Sequence, residues 1–327
     1  MDAVLTCMVS DRVTSGPFLE DFVKLAAAFT KTAGGIGLCS YVSSILCAFE
    51  ILELVSGDSV IISPLAPSVY MSAFKQKGIQ PIFCDVDPHS GLLLPADVEP
   101  LLEQKPKAII LHHSLGYIHD LDRFSAMEIP LIEDITQSLG GMWNNMPVGS
   151  FGTVSLCSLS EENLITGGGG GLLLVKKRQH IQVLKRVLES TSEYVQLFDL
   201  NAAVAYSQMR ELETFLSIRK EYASVFFSAL QRSRHSILVQ AEPGEQVPYS
   251  FPICVETSMK DVRQFAKKKG IDTHAAFNES LITMDDEIYN KYPNAKSLLL
   301  RCVLFPLYPT LGKKNAAHIA KVLSALP

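Results

Sequence analysis

A chain of 327 residues with 47% hydrophobic and 19% charged residues has enough apolar material for a large core and too little charge for an intrinsically disordered polypeptide. Lys and Arg number 29 against 34 Asp and Glu, a formal net charge of −5, and this mildly acidic balance lacks the electrostatic footprint of a nucleic-acid binder. The length suggests two domains, or one large domain with an appendage.

The seven cysteines are odd in number and never spaced as Cys-x-x-Cys. Most lie inside apolar runs, so buried reduced thiols in a cytoplasmic protein are expected, without disulfides or a zinc site. Met1-Asp2-Ala3-Val4 carries no basic n-region, and no secretory signal is expected. The uncharged stretch Thr32 to Phe49 contains three glycines and three serines and is read as a buried helix, not a membrane span.

Strands are expected at Ser59 to Ile62, Pro81 to Asp87, Ala108 to His112 and Ile129 to Ile132, with helical patterns at Ser68 to Lys77 and Ala96 to Gln104. Short apolar strands separated by helices indicate a parallel sheet covered on both faces, and the fold class is α/β. Val154 to Leu159 and Gly171 to Val175 are strand-like runs around the glycine tract Gly167 to Gly171. One long helical pattern, Leu200 to Leu230, follows. Beyond it, strands at Ile237 to Val239, Tyr249 to Val255 and Leu298 to Phe305, with helices at Met259 to Lys269 and Lys313 to Leu326, form a smaller α/β unit. The boundary is placed on the long helix, dividing the chain into a large domain, 1–215, and a small C-terminal domain, 216–327.

Three features invite a chemical reading. The Glu133-Asp134 pair ends a parallel strand, where open α/β sheets bind ligands; Asp134 read as a helix N-cap is the commoner use of such a residue. The glycine tract has no following Lys-Ser/Thr and leads into a strand, so a tight turn is preferred to a phosphate loop. Adjacent His112 and His113 at a strand end point to opposite faces, so with His119 they suit packing and hydrogen bonding better than one metal ion.

The segment Glu133-Asp134-Ile135-Thr136-Gln137-Ser138-Leu139-Gly140-Gly141 resembles the Glu-Asp-x-x-Gln-x-x-Gly-x signature of the DegT/DnrJ/EryC1/StrS sugar aminotransferases, pyridoxal-phosphate (PLP) enzymes of fold type I. Further likenesses run in order along nearly the whole chain: Ser56 to Ile61, His113 to Asp122, Val148 to Gly152, Asp199 to Met209, Arg219 to Tyr222 and Phe305 to Leu311. The resemblance implies a fold type I architecture, with a mainly parallel sheet between helices and a smaller C-terminal α/β domain. It also implies a homodimer, a sugar or nucleotide-sugar ligand, and a nucleotide-sugar or polysaccharide biosynthesis setting.

By that resemblance Asp134 matches the acid set against the pyridinium nitrogen, Gln137 the residue at the cofactor's phenolic oxygen, and Ser158 a serine that holds phosphate. The Schiff-base lysine position falls at Glu162 or Asn163, and no lysine occurs between Lys107 and Lys176. The Ser-Gly-Thr phosphate cradle falls near Ser40-Tyr41-Val42, the ring-stacking aromatic near Ser68, and the element reaching a neighbouring subunit at Tyr194-Val195-Gln196. One branch of the family, the sugar 3-dehydratases, has histidine in place of the lysine and holds its cofactor non-covalently. A carboxylate or an amide imitates that poorly, since one repels the cofactor's negative groups and the other is a weak base. Three expectations follow: a pseudo-enzyme without transaminase activity; an enzyme holding PLP or its amine form non-covalently through Asp134 and Gln137; or a structural subunit partnering a genuine aminotransferase.

Overall fold

A computed structural model describes residues 2–10, 12–190 and 196–327. Helices of two turns or more are Asp2–Val9 (α1), Pro17–Phe29 (α2), Tyr41–Ile51 (α3), Val69–Lys77 (α4), Arg178–Ser190 (α5), Asp199–Arg210 (α6), Leu212–Leu230 (α7), Met259–Lys268 (α8), Pro293–Arg301 (α9) and Lys313–Leu323 (α10). A seven-stranded sheet is built, in chain order, from Gly34–Leu38 (β1), Ser59–Ile62 (β2), Gln80–Phe83 (β3), Ala108–His112 (β4), Leu131–Asp134 (β5), Val154–Ser158 (β6) and Gly171–Val175 (β7). Across the sheet the order is β1-β7-β6-β5-β4-β2-β3. Pairing is parallel from β3 to β6, and β7 runs antiparallel to both of its neighbours. The α/β class and the mainly parallel sheet stand as expected.

Both faces of this sheet are dry. Ile109, Leu111 and Leu131 pack into one core with Phe22 and Ala26 of α2. Ile110, Ile132 and Leu156 pack on the other side with Ile45 of α3 and Tyr70 and Phe74 of α4. This alternation along β4 and β5 is the period of two of a pleated strand.

Thr32 to Phe49 is not one helix. It forms β1 and then α3, broken at Cys39-Ser40. Gly34, Gly35 and Gly37 favour no helix, and Gly35 lets β1 approach β7 closely: a Cβ there would stand 2.2 Å from the Leu173 carbonyl oxygen. Leu200 to Leu230 likewise divides, into α6 and α7 at Glu211, so the 215/216 division lies inside α7. The glycine tract forms the link between antiparallel β6 and β7, with Gly168, Gly169 and Gly170 at positive φ.

In the last third, Phe251–Cys254 (β8), His274–Ala275 (β9) and Cys302–Phe305 (β10) form an antiparallel sheet in the order β8-β10-β9. It shares a core with Tyr222 and Phe226 of α7, Val262 of α8 and Ile319 of α10. Leu298 to Arg301, expected as strand, end helix α9, and only Cys302 to Phe305 are extended. A continuous apolar run fits a buried helix end as well as a strand, and periodicity cannot separate them. Ile237 to Val239 is also no strand; it is held by reciprocal backbone hydrogen bonds between Ser236 and Cys254 and by the Tyr117 hydroxyl on the Leu238 carbonyl. All seven cysteines are free thiols, six buried and Cys39 exposed. Among the described residues no helix is long and apolar enough to cross a membrane.

Candidate functional site

The carboxyl ends of β4, β5 and β6 bring His112, Asp134 and Ser158 to one edge of the sheet. Asp134 is fully buried. Its Oδ1 accepts the Thr136 backbone N–H at 3.1 Å and the Thr136 hydroxyl at 2.6 Å. Its Oδ2 accepts from His112 Nδ1 at 3.0 Å and from the Tyr70 hydroxyl at 3.0 Å. Burial favours the neutral acid, but the pull of His112 beside it, with hydrogen bonds from His112 and Thr136, holds the carboxyl well below the usual carboxylate range. The contact to Thr136 closes an Asx-type turn and engages only one of the two oxygens; residues 136–140 form turns and no helix starts there, so the helix N-cap weighed from sequence is not formed.

Behind Tyr70 stands Tyr41, the first residue of α3, with the two hydroxyls 3.2 Å apart and the rings edge to face. Burial, followed by the negative charge of Asp134, raises both phenols well above their ordinary value. They are therefore neutral donors. Because Tyr70 directs its one proton to Asp134, its oxygen must accept from Tyr41. The result is a chain of hydrogen bonds from Tyr41 through Tyr70 to Asp134.

The neighbouring carboxylate faces the other way. Glu133 is fully buried and accepts the backbone N–H groups of Gly149 at 2.9 Å, Phe151 at 2.9 Å and Gly152. His113 Nε2 lies 3.4 Å from Glu133 Oε1, and His113 Nδ1 lies 3.1 Å from His119 Nδ1. His119 Nε2 accepts the Leu93 N–H, so its proton is on Nδ1 and points at His113. Burial, then His113 and His112, lowers the His119 pKa well below its ordinary value. The histidines serve separate carboxylates on opposite faces, and no group of three His, Cys, Asp or Glu residues among those described is placed to hold a metal ion.

Gln137 Oε1 accepts the Leu115 backbone N–H at 2.6 Å, and its side chain also reaches the Tyr249 hydroxyl. Ser158 Oγ pairs with Ser160 Oγ at 3.1 Å, while the Ser158 N–H donates to Thr136 Oγ1. Asn163 donates to the Ser158 carbonyl at 3.2 Å; Glu162 is exposed, and its carbonyl accepts the Tyr249 hydroxyl at 3.3 Å. Arg219 of α7 supports Tyr249 from behind, its guanidinium donating to the carbonyls of Pro248, Tyr249 and Leu307. Tyr194 and Val195 lie outside the described residues.

An ionised carboxylate offers about four lone-pair directions, and all those of Asp134 are met by the chain's own donors. A pyridinium N–H directed at Asp134 would have to displace one of these donors. As these side chains stand, the residues present do not fit pyridoxal phosphate. Sequence reasoning missed Tyr70 and did not weigh Tyr41 as an occupant. The available signal was a large aromatic at Tyr41, where the resembling cradle has its small glycine.

The pattern of the DegT/DnrJ/EryC1/StrS aminotransferase family matches residues 1–324. The chain is 23% identical to GDP-perosamine synthase of Escherichia coli O157:H7, over 97% of its own length and 93% of the relative's. It is 22% identical to the spore coat polysaccharide biosynthesis protein SpsC of Bacillus subtilis (strain 168), over 98% and 92%. Among solved structures, the putative sugar aminotransferase Spr1654 from Streptococcus pneumoniae in its PLP-form superposes with a TM-score of 0.89 at 19% identity, covering 99% of this chain and 94% of that one.

Proposed function

The chain belongs to the DegT/DnrJ/EryC1/StrS aminotransferase family, and we propose that within it this protein is a pseudo-enzyme, a fold type I scaffold that transfers no amino group. The observation that carries the reading is the lysine-free stretch from Ala108 to Val175, which supplies the carboxyl ends of β4, β5 and β6. Transamination on this scaffold needs an amine for the Schiff base, and the turn after β6 offers Glu162 and Asn163. Asn163 is turned to the Ser158 carbonyl, so its amide serves the turn.

The names of the two relatives support a nucleotide-sugar or polysaccharide biosynthesis setting. There the protein acts by binding, as a homodimer or as the partner of a genuine aminotransferase of the same fold, with a sugar or nucleotide-sugar as the ligand class. The test is incubation of the purified protein with pyridoxal phosphate and an amino donor, followed by borohydride reduction and peptide mass spectrometry. No pyridoxyl-lysine adduct and no amino transfer are expected; amino transfer, with or without a reduced adduct, overturns the reading.

A further inference from the structure

We propose that this chain occupies its own cofactor site: the side chains of Tyr41 and Tyr70 fill the space between the α3 N-terminus and Asp134, and they close it to pyridoxal phosphate. The placing of the site rests on the family reading above; its filling rests on the chain's own geometry.

The two ends of the site are separately blocked. A helix N-terminus at the edge of the sheet is where a phosphate would sit, because unpaired N–H groups and the helix dipole favour an anion. In α3 that first turn begins with Tyr41 in place of a small residue, and the Tyr41 ring turns inward to bring its hydroxyl to Tyr70. At the other end, the Asp134 oxygen that would receive a pyridinium proton already takes one from Tyr70. Tyr70 is wholly buried, and its ring packs tilted against Phe74, which in turn stacks on Phe49. Tyr70 is therefore packed as a core residue, and moving it aside would open a hole between α3 and α4 while leaving Asp134 with one donor fewer.

Titrations with pyridoxal phosphate, followed by absorbance and calorimetry, test this on the wild type, Tyr70→Phe, the double variant Tyr41→Gly/Tyr70→Ala, and the double variant with Asp134→Asn added. The wild type and Tyr70→Phe, which keeps the ring, are expected to show no saturable binding at millimolar cofactor. The double variant is expected to bind at least about tenfold more tightly, and Asp134→Asn to remove that gain. Saturable submillimolar binding by the wild type overturns the proposal, as does a folded double variant that binds no better than the wild type. If the double variant does not unfold cooperatively, Tyr41→Gly alone decides with inorganic phosphate as probe: tighter binding than wild type supports the proposal, and no gain overturns it. Wild-type binding without amino transfer would end this proposal and leave the non-transferring reading intact; amino transfer, with or without a fixed lysine adduct, would end that reading itself.

Discussion

Tyr70 of α4 donates its phenol proton to Asp134 of β5 across 3.0 Å, inside a core where neither side chain meets solvent. Hydrogen bonds to an ionised acceptor contribute more than neutral ones, and a buried acceptor that loses a donor keeps its desolvation cost. Tyr70→Phe retains the packing against Phe74 and removes only the hydroxyl. It is expected to lower stability by about 1.5–3 kcal/mol, read as a lower urea midpoint with an unchanged slope.

Acid should weaken the fold in two separate windows. His119 is held neutral by burial, with His113 beside it and Glu133 beyond. The unfolded state takes up a proton near pH 6.5 that the folded state refuses, so this contribution is present above about 6.5 and falls away below it. Asp134 adds a second window of the same sign at lower pH, with an ionised group in place of a neutral one. Its folded carboxyl stays ionised below the unfolded value of 3.8, so its contribution is complete above that pH and is lost as pH drops toward the folded pKa. Denaturation curves from pH 8 to 3 should show both slopes. His119→Gln should flatten the upper one and Asp134→Asn the lower.

Glu133→Gln tests the other face of β5. The carboxylate accepts three backbone N–H groups from the turn at Gly149 to Gly152, and an amide can offer only its single oxygen to them. A loss of about 2–4 kcal/mol is expected, with faster hydrogen exchange at the Gly149, Phe151 and Gly152 amides as the local signature.

Neither Glu162→Lys nor Asn163→Lys should create a transaminase. A new amine in the turn after β6 leaves Asp134 engaged with Tyr70, His112 and Thr136. Amino transfer by either variant, measured with a keto-sugar acceptor and glutamate, would show that the lysine was the one missing part.

The strands of the parallel sheet were readable in the sequence because each is a short, mainly apolar run set off from its neighbours by turns, loops or helices. Thr32 to Phe49 and Leu298 to Phe305 were not, because each packs a strand and a helix into one uncharged or apolar run, and hydrophobicity carries no boundary there. Asp134 was legible as a strand-end acid, whereas the helix N-cap also weighed for it is not formed. The filled state of Asp134 was not legible, because Tyr70 meets it from a helix 64 residues away in sequence, and no local pattern reports which side chain of α4 points at β5. Tyr41 was visible only as a departure from a small residue; that its hydroxyl completes a chain with Tyr70 is a matter of tertiary placement.

The back-to-back carboxylates on β5 have a consequence for how such a motif is interpreted when it turns up in another chain. Because successive side chains on a strand face opposite ways, Glu133 secures a turn on one side while Asp134 is knitted into the packing of α4 on the other. Both acids therefore have folding reasons to persist that do not depend on catalysis. A scaffold of this kind can shed a reaction and still display the signature of that reaction, so the signature diagnoses ancestry and architecture, while present-day chemistry has to be judged by what stands opposite the acid.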